Sequence, residues 1–248
     1  MTLLSDHSND YFACMELVAV RVKKDLKDHP VKFGHLMAKA LVESQSYAEF
    51  LATLDNKVTL PMRKAHDFYG WMAKNESRGV CKGAIYRSKQ YMQIPMHKRS
   101  GAKRDRQKDF SVHIEHTIPI NQIIKTLWSL RGPLRELSSG SSLPALMHEQ
   151  FLSLSVCTAL TGVEEKQCIK AGLESSHPGL SAEYPLTFSE LMEIKPFERY
   201  DFSAGLVIHN VLSGSEIDPL SWTISDHLRA IKSVDTYNWE YLTSAQFS

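Results

Sequence analysis

The segment FSVHIEHTIPINQII, which begins at Phe110, constrains the fold most strongly because its hydrophobic pattern changes period partway along. Phe110, Val112 and Ile114 alternate with polar residues, which is the pattern of a half-buried β-strand. After Pro119 the apolar residues recur at helical spacing. The segment therefore predicts a strand that ends at His116 and a helix that begins just after Pro119.

The end of this strand carries a carboxylate and an imidazole, those of Glu115 and His116. A carboxylate can hold a hard divalent cation, and a neutral imidazole can take a proton from a nearby water. Together they suit metal-assisted hydrolysis, so the pair is the candidate site. The structural alternatives are a histidine that is hydrogen-bonded at a strand end and an ordinary surface acid.

The composition is that of an ordinary globular protein. The chain has 248 residues, of which 43% are hydrophobic and 23% are charged, and it can bury a large core. The formal net charge of +1 gives no overall sign of a polyanionic partner. Scattered single cysteines, the lack of a long apolar run and an N-terminus unlike a signal peptide predict a cytoplasmic protein without membrane contact.

The chain divides by composition into four parts. Residues 1–78 carry apolar residues at helical spacing and predict a helical N-terminal subdomain. Residues 79–109 form a basic connecting segment that starts with a short hairpin or an irregular stretch. Residues 110–206 are the predicted core. Residues 207–248 carry a strand, predicted in the segment LVIHNV that starts at Leu206, and then a closing helix in SEIDPLSWTISDHLRAIKSV with Ser221 as a candidate cap.

A basic run lies directly before the candidate site and contains six cations within eleven residues. Such a run is usually a solvated loop. Its position beside a hydrolytic centre favours contacts with the phosphates of a nucleic acid. The predicted DNA-binding cations are Lys98, Arg99, Lys103, Arg104, Arg106 and Lys108.

A second strand and a helix are predicted in the segment LSVCTALTGVEEKQ. The strand runs through Leu154, Val156 and Thr158, and the helix opens at Gly162. Glu164 and Glu165 lie in the first turn of this helix. Acids in a first turn are favoured by the helix dipole without any metal, so a purely electrostatic role is the alternative to metal binding.

The segment HIEHTIP, from His113 to Pro119, resembles the first strand of the HNH endonucleases, whose fold is the ββα-metal motif. The segment LSVCTALTGVEEKQ is similar to the second strand and the helix of that motif. Residues 196–206 are similar to the downstream part of restriction-like members. The resemblance implies an α+β protein, mostly helical, with a central ββα-metal (HNH) core that has a long insertion.

The resemblance also implies a role for each matching residue. His116 would be the general base that activates water, and Glu115 would bind a single metal ion. Glu165 or Glu164 would complete the ligands from the helix. His113 shares a side of the strand with Glu115 and is a candidate DNA contact or ligand. Mg²⁺ fits such an oxygen-rich site best, with Mn²⁺ as the alternative.

The chain departs from the HNH pattern in three respects, of which one is the long insertion between the two strands. No asparagine stands close before the helix to orient the base, and Thr158, Thr161, Asn121 and Asn210 are the available substitutes. The helix carries Glu165 at the position where the HNH motif has its final histidine.

The resemblance implies a metal-dependent DNA endonuclease that hydrolyses the phosphodiester bonds of double-stranded DNA. A sequence-specific type II restriction-like enzyme is the preferred version, because much of the chain lies outside the small core, as recognition requires. Many such enzymes act as homodimers. The alternatives are a non-specific or structure-specific HNH nuclease from a toxin or phage, and a non-catalytic nucleic-acid-binding or regulatory protein.

Overall fold

The structure, a computed structural model, shows helices arranged around a mixed five-stranded sheet, which confirms the predicted α+β class. Within the part of the chain that it describes, no helix is long and apolar enough to cross a membrane. The described residues are 39–53, 84–101, 110–133, 154, 156–173, 175–180 and 187–232.

The bounds of the elements follow in chain order. The strands are β1 (Tyr86–Ser88), β2 (Val112–His116), β3 (Cys157–Thr161), β4 (Ile208–Asn210) and β5 (Ser215–Ile217). The helices are α1 (Lys89–Gln93), α2 (Ile120–Ser129), α3 (Gly162–Lys170), α4 (Phe188–Met192), α5 (Glu198–Ala204) and α6 (Ile224–Lys232). Residues 39–43, 47–53 and 131–133 are also helical, and Met96–Lys98 form a 3-10 turn.

The strands lie in the order β2-β3-β1-β4-β5, so the short strand β1 is central. β1 pairs parallel with β3, and the other pairs are antiparallel. All three residues of β1 are buried, including Arg87. The predicted core of residues 110–206 contributes β2 and β3 alone, so the sheet extends across both predicted boundaries of that core.

β2 and α2 form as the sequence predicts. The strand ends at His116, and the turn to the helix contains Pro119, whose φ of −57° suits a helix start. Gln122 N donates to Pro119 O at 2.9 Å, which closes the first turn. α2 buries Ile123 and Leu127, four residues apart on one face.

α3 follows β3 without an intervening loop because Thr161 is both the last strand residue and the helix N-cap. Thr161 Oγ1 accepts from Glu164 N at 3.2 Å, and Glu164 Oε2 accepts from Thr161 N at 2.8 Å. This reciprocal pair is a capping box. Ser88 Oγ in β1 donates to the same Glu164 oxygen at 2.6 Å, so the start of α3 is fixed to the centre of the sheet.

The two faces of the sheet pack against different apolar clusters. Val112 and Ile114 of β2 share one cluster with Tyr91 and Met92 of α1. Leu160 belongs to the larger cluster, which includes buried residues of α2, α3, α4 and α5 and of residues 39–53. By strand alternation His113 and Glu115 project toward the side of this larger cluster.

Some predicted local structure is wrong. The short hairpin or irregular stretch predicted near residue 86 is instead a strand followed by α1, because β1 pairs with distant strands and not with its neighbour in sequence. Residues 215–217 form β5 and are not helical. The cap of α6 is not Ser221, because Thr223 Oγ1 accepts from Asp226 N at 3.4 Å and Thr223 N donates to Asp226 Oδ2 at 3.0 Å. Leu154, predicted to lie in the second strand, is helical, and the strand runs only from Cys157 to Thr161. Helices α4 and α5 were not predicted.

Two predictions lie largely outside the described residues. The helical N-terminal subdomain is described only over residues 39–53, where it is helical apart from residues 44–46. In the basic run, Lys98 and Arg99 are described. Lys103, Arg104, Arg106 and Lys108 lie outside the described residues.

Candidate metal centre

His113 and Glu115 on β2 and Glu165 on α3 bring one donor atom each to within 4.8 Å of one another. His113 Nε2 lies 3.6 Å from Glu115 Oε2 and 3.4 Å from Glu165 Oε1. Among the described residues, this group is the one with enough histidine, cysteine or acidic side chains to hold a metal ion. We call these three residues the candidate metal centre.

The strand register explains why the three residues meet. His113 and Glu115 are two apart in a regular strand and therefore project to the same face. Opposite them on β3 lie Leu160 and Thr158, respectively. The chain turns into α3 directly after Thr161, so the first turn of that helix lies beside the start of β2. Glu165 then faces His113 from the helix.

The candidate metal centre is partly open to solvent. The His113 side chain is 26% exposed, and those of Glu115 and Glu165 are each 16% exposed. A hydrated cation can therefore reach the three donors, while most of each side chain remains packed against the protein.

A buried arginine holds one of the acids. Arg199 on α5 is fully buried, and its Nη2 donates to Glu115 Oε1 at 2.7 Å. Its Nη1 donates to the carbonyls of His116 at 2.9 Å and Thr117 at 3.3 Å. Glu115 therefore presents Oε1 to the guanidinium and Oε2 to His113. The two carboxylates and this guanidinium together leave one negative charge in excess.

Glu164, a predicted metal ligand, is not brought into the candidate metal centre. Successive helix residues differ by about 100° around the axis, so Glu164 and Glu165 point in different directions. Glu164 is 1% exposed, and its Oε2 accepts hydrogen bonds from Ser88 Oγ, Thr161 N and Thr161 Oγ1. Its place in the structure is the helix cap.

His116, the predicted general base, does not share a face with Glu115. The register from Val112 to His116 is continuous, so the His116 side chain projects to the face opposite that of Glu115. Its strand partner is Cys157, which belongs to the apolar cluster under α1. The role of His116 as a base remains a prediction, because its side chain does not lie beside that of Glu115.

The two described cations of the basic run differ in their surroundings. Lys98 is exposed, and its Nζ lies 5.3 Å from the centre of the Phe110 ring. Arg99 is buried, and its guanidinium lies 4.3 Å from the centre of the Tyr91 ring. Arg99 Nε donates to Ile94 O at 2.9 Å. DNA contact by Arg99 stays a prediction, and its packing role is the one that the structure describes.

The four candidate base-orienting residues each have other partners. Thr158 Oγ1 is hydrogen-bonded to Thr117 Oγ1 at 2.8 Å, and Thr161 caps α3. Asn121 Nδ2 donates to Ser175 O, and Asn210 Oδ1 accepts from Leu212 N, both at 2.9 Å.

Sequence reasoning missed Arg199. The signal that could have identified it is its position between Phe197 and Tyr200, two aromatic residues that are fully buried. A cation in such a setting needs an acidic partner, because a buried unpaired charge is strongly disfavoured. The sequence does not say which acid that is.

Comparison with models of known protein families, with curated proteins and with solved structures gives no match to this chain.

Proposed function

We propose that this protein is a metal-dependent phosphodiester hydrolase that acts on DNA. The observation that carries the proposal is the candidate metal centre, in which one imidazole nitrogen and two carboxylate oxygens lie within 4.8 Å of one another. Supporting it, β2 pairs antiparallel with β3, and β3 leads directly into α3, as in a ββα-metal core; α2 lies between the two strands in sequence, within the long insertion. A bound divalent ion would polarise a phosphate oxygen and stabilise the leaving oxygen.

The protein's own residues supply the setting for this chemistry. Arg199 fixes Glu115 Oε1, so Glu115 Oε2 is held toward the centre before any ion arrives. The capping box fixes the first turn of α3 and with it Glu165. Under the proposal His116 remains the candidate base, to be tested by substitution.

The position of the basic run supports a polyanionic substrate. Ser100 N donates to Phe110 O at 3.0 Å, and Val112 N donates to Ser100 O at 2.9 Å. Ser100 and Phe110, which flank the segment that carries Lys103, Arg104, Arg106 and Lys108 in sequence, therefore both lie at the start of β2. Cations at these sequence positions would neutralise DNA phosphates.

A second candidate function is a non-catalytic nucleic-acid-binding protein in which the same residues are structural. The observation that favours it is the Arg199–Glu115 ion pair, since Glu115 already has a cationic partner. Under this alternative neither metal nor chelator changes the DNA, and substitution of Glu165 leaves DNA affinity unchanged.

Plasmid cleavage tests the proposal. The full chain would be incubated with supercoiled DNA and Mg²⁺, Mn²⁺ or a chelator, as wild type, Glu165→Gln and the control Glu216→Gln on exposed β5. We expect cleavage that the chelator abolishes and that Glu165→Gln lowers at least about tenfold, while the control cleaves like wild type. Cleavage that resists both the chelator and Glu165→Gln, or no cleavage with either metal, refutes the proposal. Defined fragments would indicate a restriction-like enzyme, and a smear a non-specific nuclease.

A further inference from the structure

We infer that His113 is a metal ligand, not a DNA contact, and that the centre takes a first-row transition-metal ion, such as Mn²⁺ or Zn²⁺, in preference to Mg²⁺. The inference deepens the proposed function and rests on it, because the proposed function gives the bound ion its catalytic role. It concerns which ion the same three residues select.

The spacing of the donors is the first argument. His113 Nε2 lies 3.4 Å from Glu165 Oε1 and 3.6 Å from Glu115 Oε2. Charge-assisted N–H···O hydrogen bonds are shorter, about 2.7–2.9 Å. Two ligands that are each about 2.1 Å from an ion and tetrahedrally disposed lie about 3.4 Å apart. The two distances therefore match ligand-to-ligand separations around a shared ion better than direct hydrogen bonds.

The donor chemistry is the second argument. Mg²⁺ prefers six oxygens in near-octahedral geometry and gives up its waters reluctantly. An imidazole nitrogen suits zinc and other first-row transition ions, which also accept carboxylates. With His113 as one donor of three, the centre discriminates against Mg²⁺.

Arg199 supplies the third argument. Its Nη2 holds Glu115 Oε1 at 2.7 Å, so Glu115 offers the centre its other oxygen. The protein then provides three single donors, and the remaining positions are available for water and substrate, as in catalytic zinc sites. The guanidinium also cancels one carboxylate charge, which weakens binding of an ion held mainly by charge, as Mg²⁺ is.

Metal binding tests the inference without relying on cleavage. The full chain is first freed of metal with a chelator. Mn²⁺ binding would be followed by the electron paramagnetic resonance signal of the unbound ion, with Zn²⁺ and Mg²⁺ as competitors. We expect Zn²⁺ to displace Mn²⁺ at far lower concentration than Mg²⁺ does. We expect His113→Ala to weaken Mn²⁺ binding at least about tenfold, and exposed His97→Ala to leave it unchanged. Equal competition by Mg²⁺, or unchanged Mn²⁺ affinity in folded His113→Ala, overturns the inference.

A spectroscopic measurement on wild type covers the case in which His113→Ala does not fold. Pulsed electron paramagnetic resonance of bound Mn²⁺ should show coupling to a directly bonded imidazole ¹⁴N, and the absence of that coupling overturns the inference. The two proposals fail separately. Mn²⁺ bound through imidazole without any DNA cleavage refutes the nuclease, whereas Mg²⁺-dependent cleavage without imidazole coupling refutes only the assignment of His113 and the ion.

Discussion

Arg199 Nη2 donates a 2.7 Å hydrogen bond to Glu115 Oε1, across 84 positions of the chain. The guanidinium also binds two carbonyls at the end of β2, and it therefore connects α5 to the strand that carries the candidate metal centre. Arg199 is fully buried and Glu115 is largely so, at 16% side-chain exposure. The pair is therefore far less screened by solvent than a surface ion pair.

Replacing Arg199 with Met should lower the free energy of unfolding by roughly 3 kcal/mol, because Glu115 keeps a mostly buried charge without its partner. Urea unfolding measures the loss. The matched control is Arg229→Met, which removes an exposed pair with Asp226 and should cost much less. The double variant Arg199→Met with Glu115→Gln should recover part of the loss. Equal losses for the two single arginine variants would contradict a structural role for the buried pair.

The two neighbouring glutamates of α3 should separate by function. Glu164→Gln should lower the free energy of unfolding by about 1–2 kcal/mol, because it weakens the cap and the bond from Ser88, yet it should leave Mn²⁺ affinity unchanged. Glu165→Gln should weaken Mn²⁺ binding and leave the free energy of unfolding nearly unchanged. The control is Glu190→Gln, in the exposed capping box of α4, which has no link to the sheet. This variant should lose less free energy of unfolding than Glu164→Gln does. Loss of Mn²⁺ binding in a folded Glu164→Gln variant would contradict this division.

His116→Ala should separate metal binding from cleavage. The side chain projects away from Glu115, so Mn²⁺ affinity should match wild type. If His116 is the base, cleavage should fall by about a hundredfold or more. Both quantities can be measured on one preparation. Unchanged cleavage removes His116 from the mechanism, and weakened Mn²⁺ binding would show that it supports the centre.

Stability should decline in mild acid because of two buried histidines. Burial lowers the pKa of His177 to about 4 and the pKa of His227 to about 3, from 6.5. Below pH 6.5 the unfolded chain takes up protons at both residues while the folded protein does not, so the free energy of unfolding falls as the pH drops toward 4. We expect about 1 kcal/mol per pH unit for each histidine in that window.

Urea unfolding between pH 7.5 and 4.5 measures this dependence. His177→Asn should reduce the slope, and His97→Ala, at an exposed position, should not. A flat profile between pH 6.5 and 4.5 would contradict the lowered pKa values. Asp218 and Asp226, whose pKa values are lowered by hydrogen bonds from Leu220 and Thr223, contribute only below about pH 4.

Those parts of the fold that depend on local pattern were predictable. β2 follows from alternation, and α3 follows from Gly162 and the acids behind it. β1 was not predictable from local pattern, because a segment of three residues that includes a buried arginine and a buried serine shows no strand alternation of its own. Its state is decided by pairing with β3 and β4, which come much later in the chain.

The candidate metal centre was predictable only where it depends on local pattern. Strand alternation places His113 with Glu115 and predicts that His116 faces the other way, although adjacency in sequence suggested a pair. The choice between Glu164 and Glu165 depends on the rotation of α3 about its axis, which Ser88 and Thr161 fix through Glu164. Arg199 depends on the docking of α5, a long-range event that local patterns do not encode.

The central place of β1 determines how this protein can be dissected. Residues 110–206 contain the whole candidate metal centre and Arg199, yet a fragment with those limits lacks β1, the partner of β3, and also β4 and β5. It also lacks Ser88, the partner of Glu164. Such a fragment would present an unpaired β3 edge prone to aggregation. The smallest portable unit therefore spans all five strands, and grafting the centre onto another scaffold requires a substitute for β1.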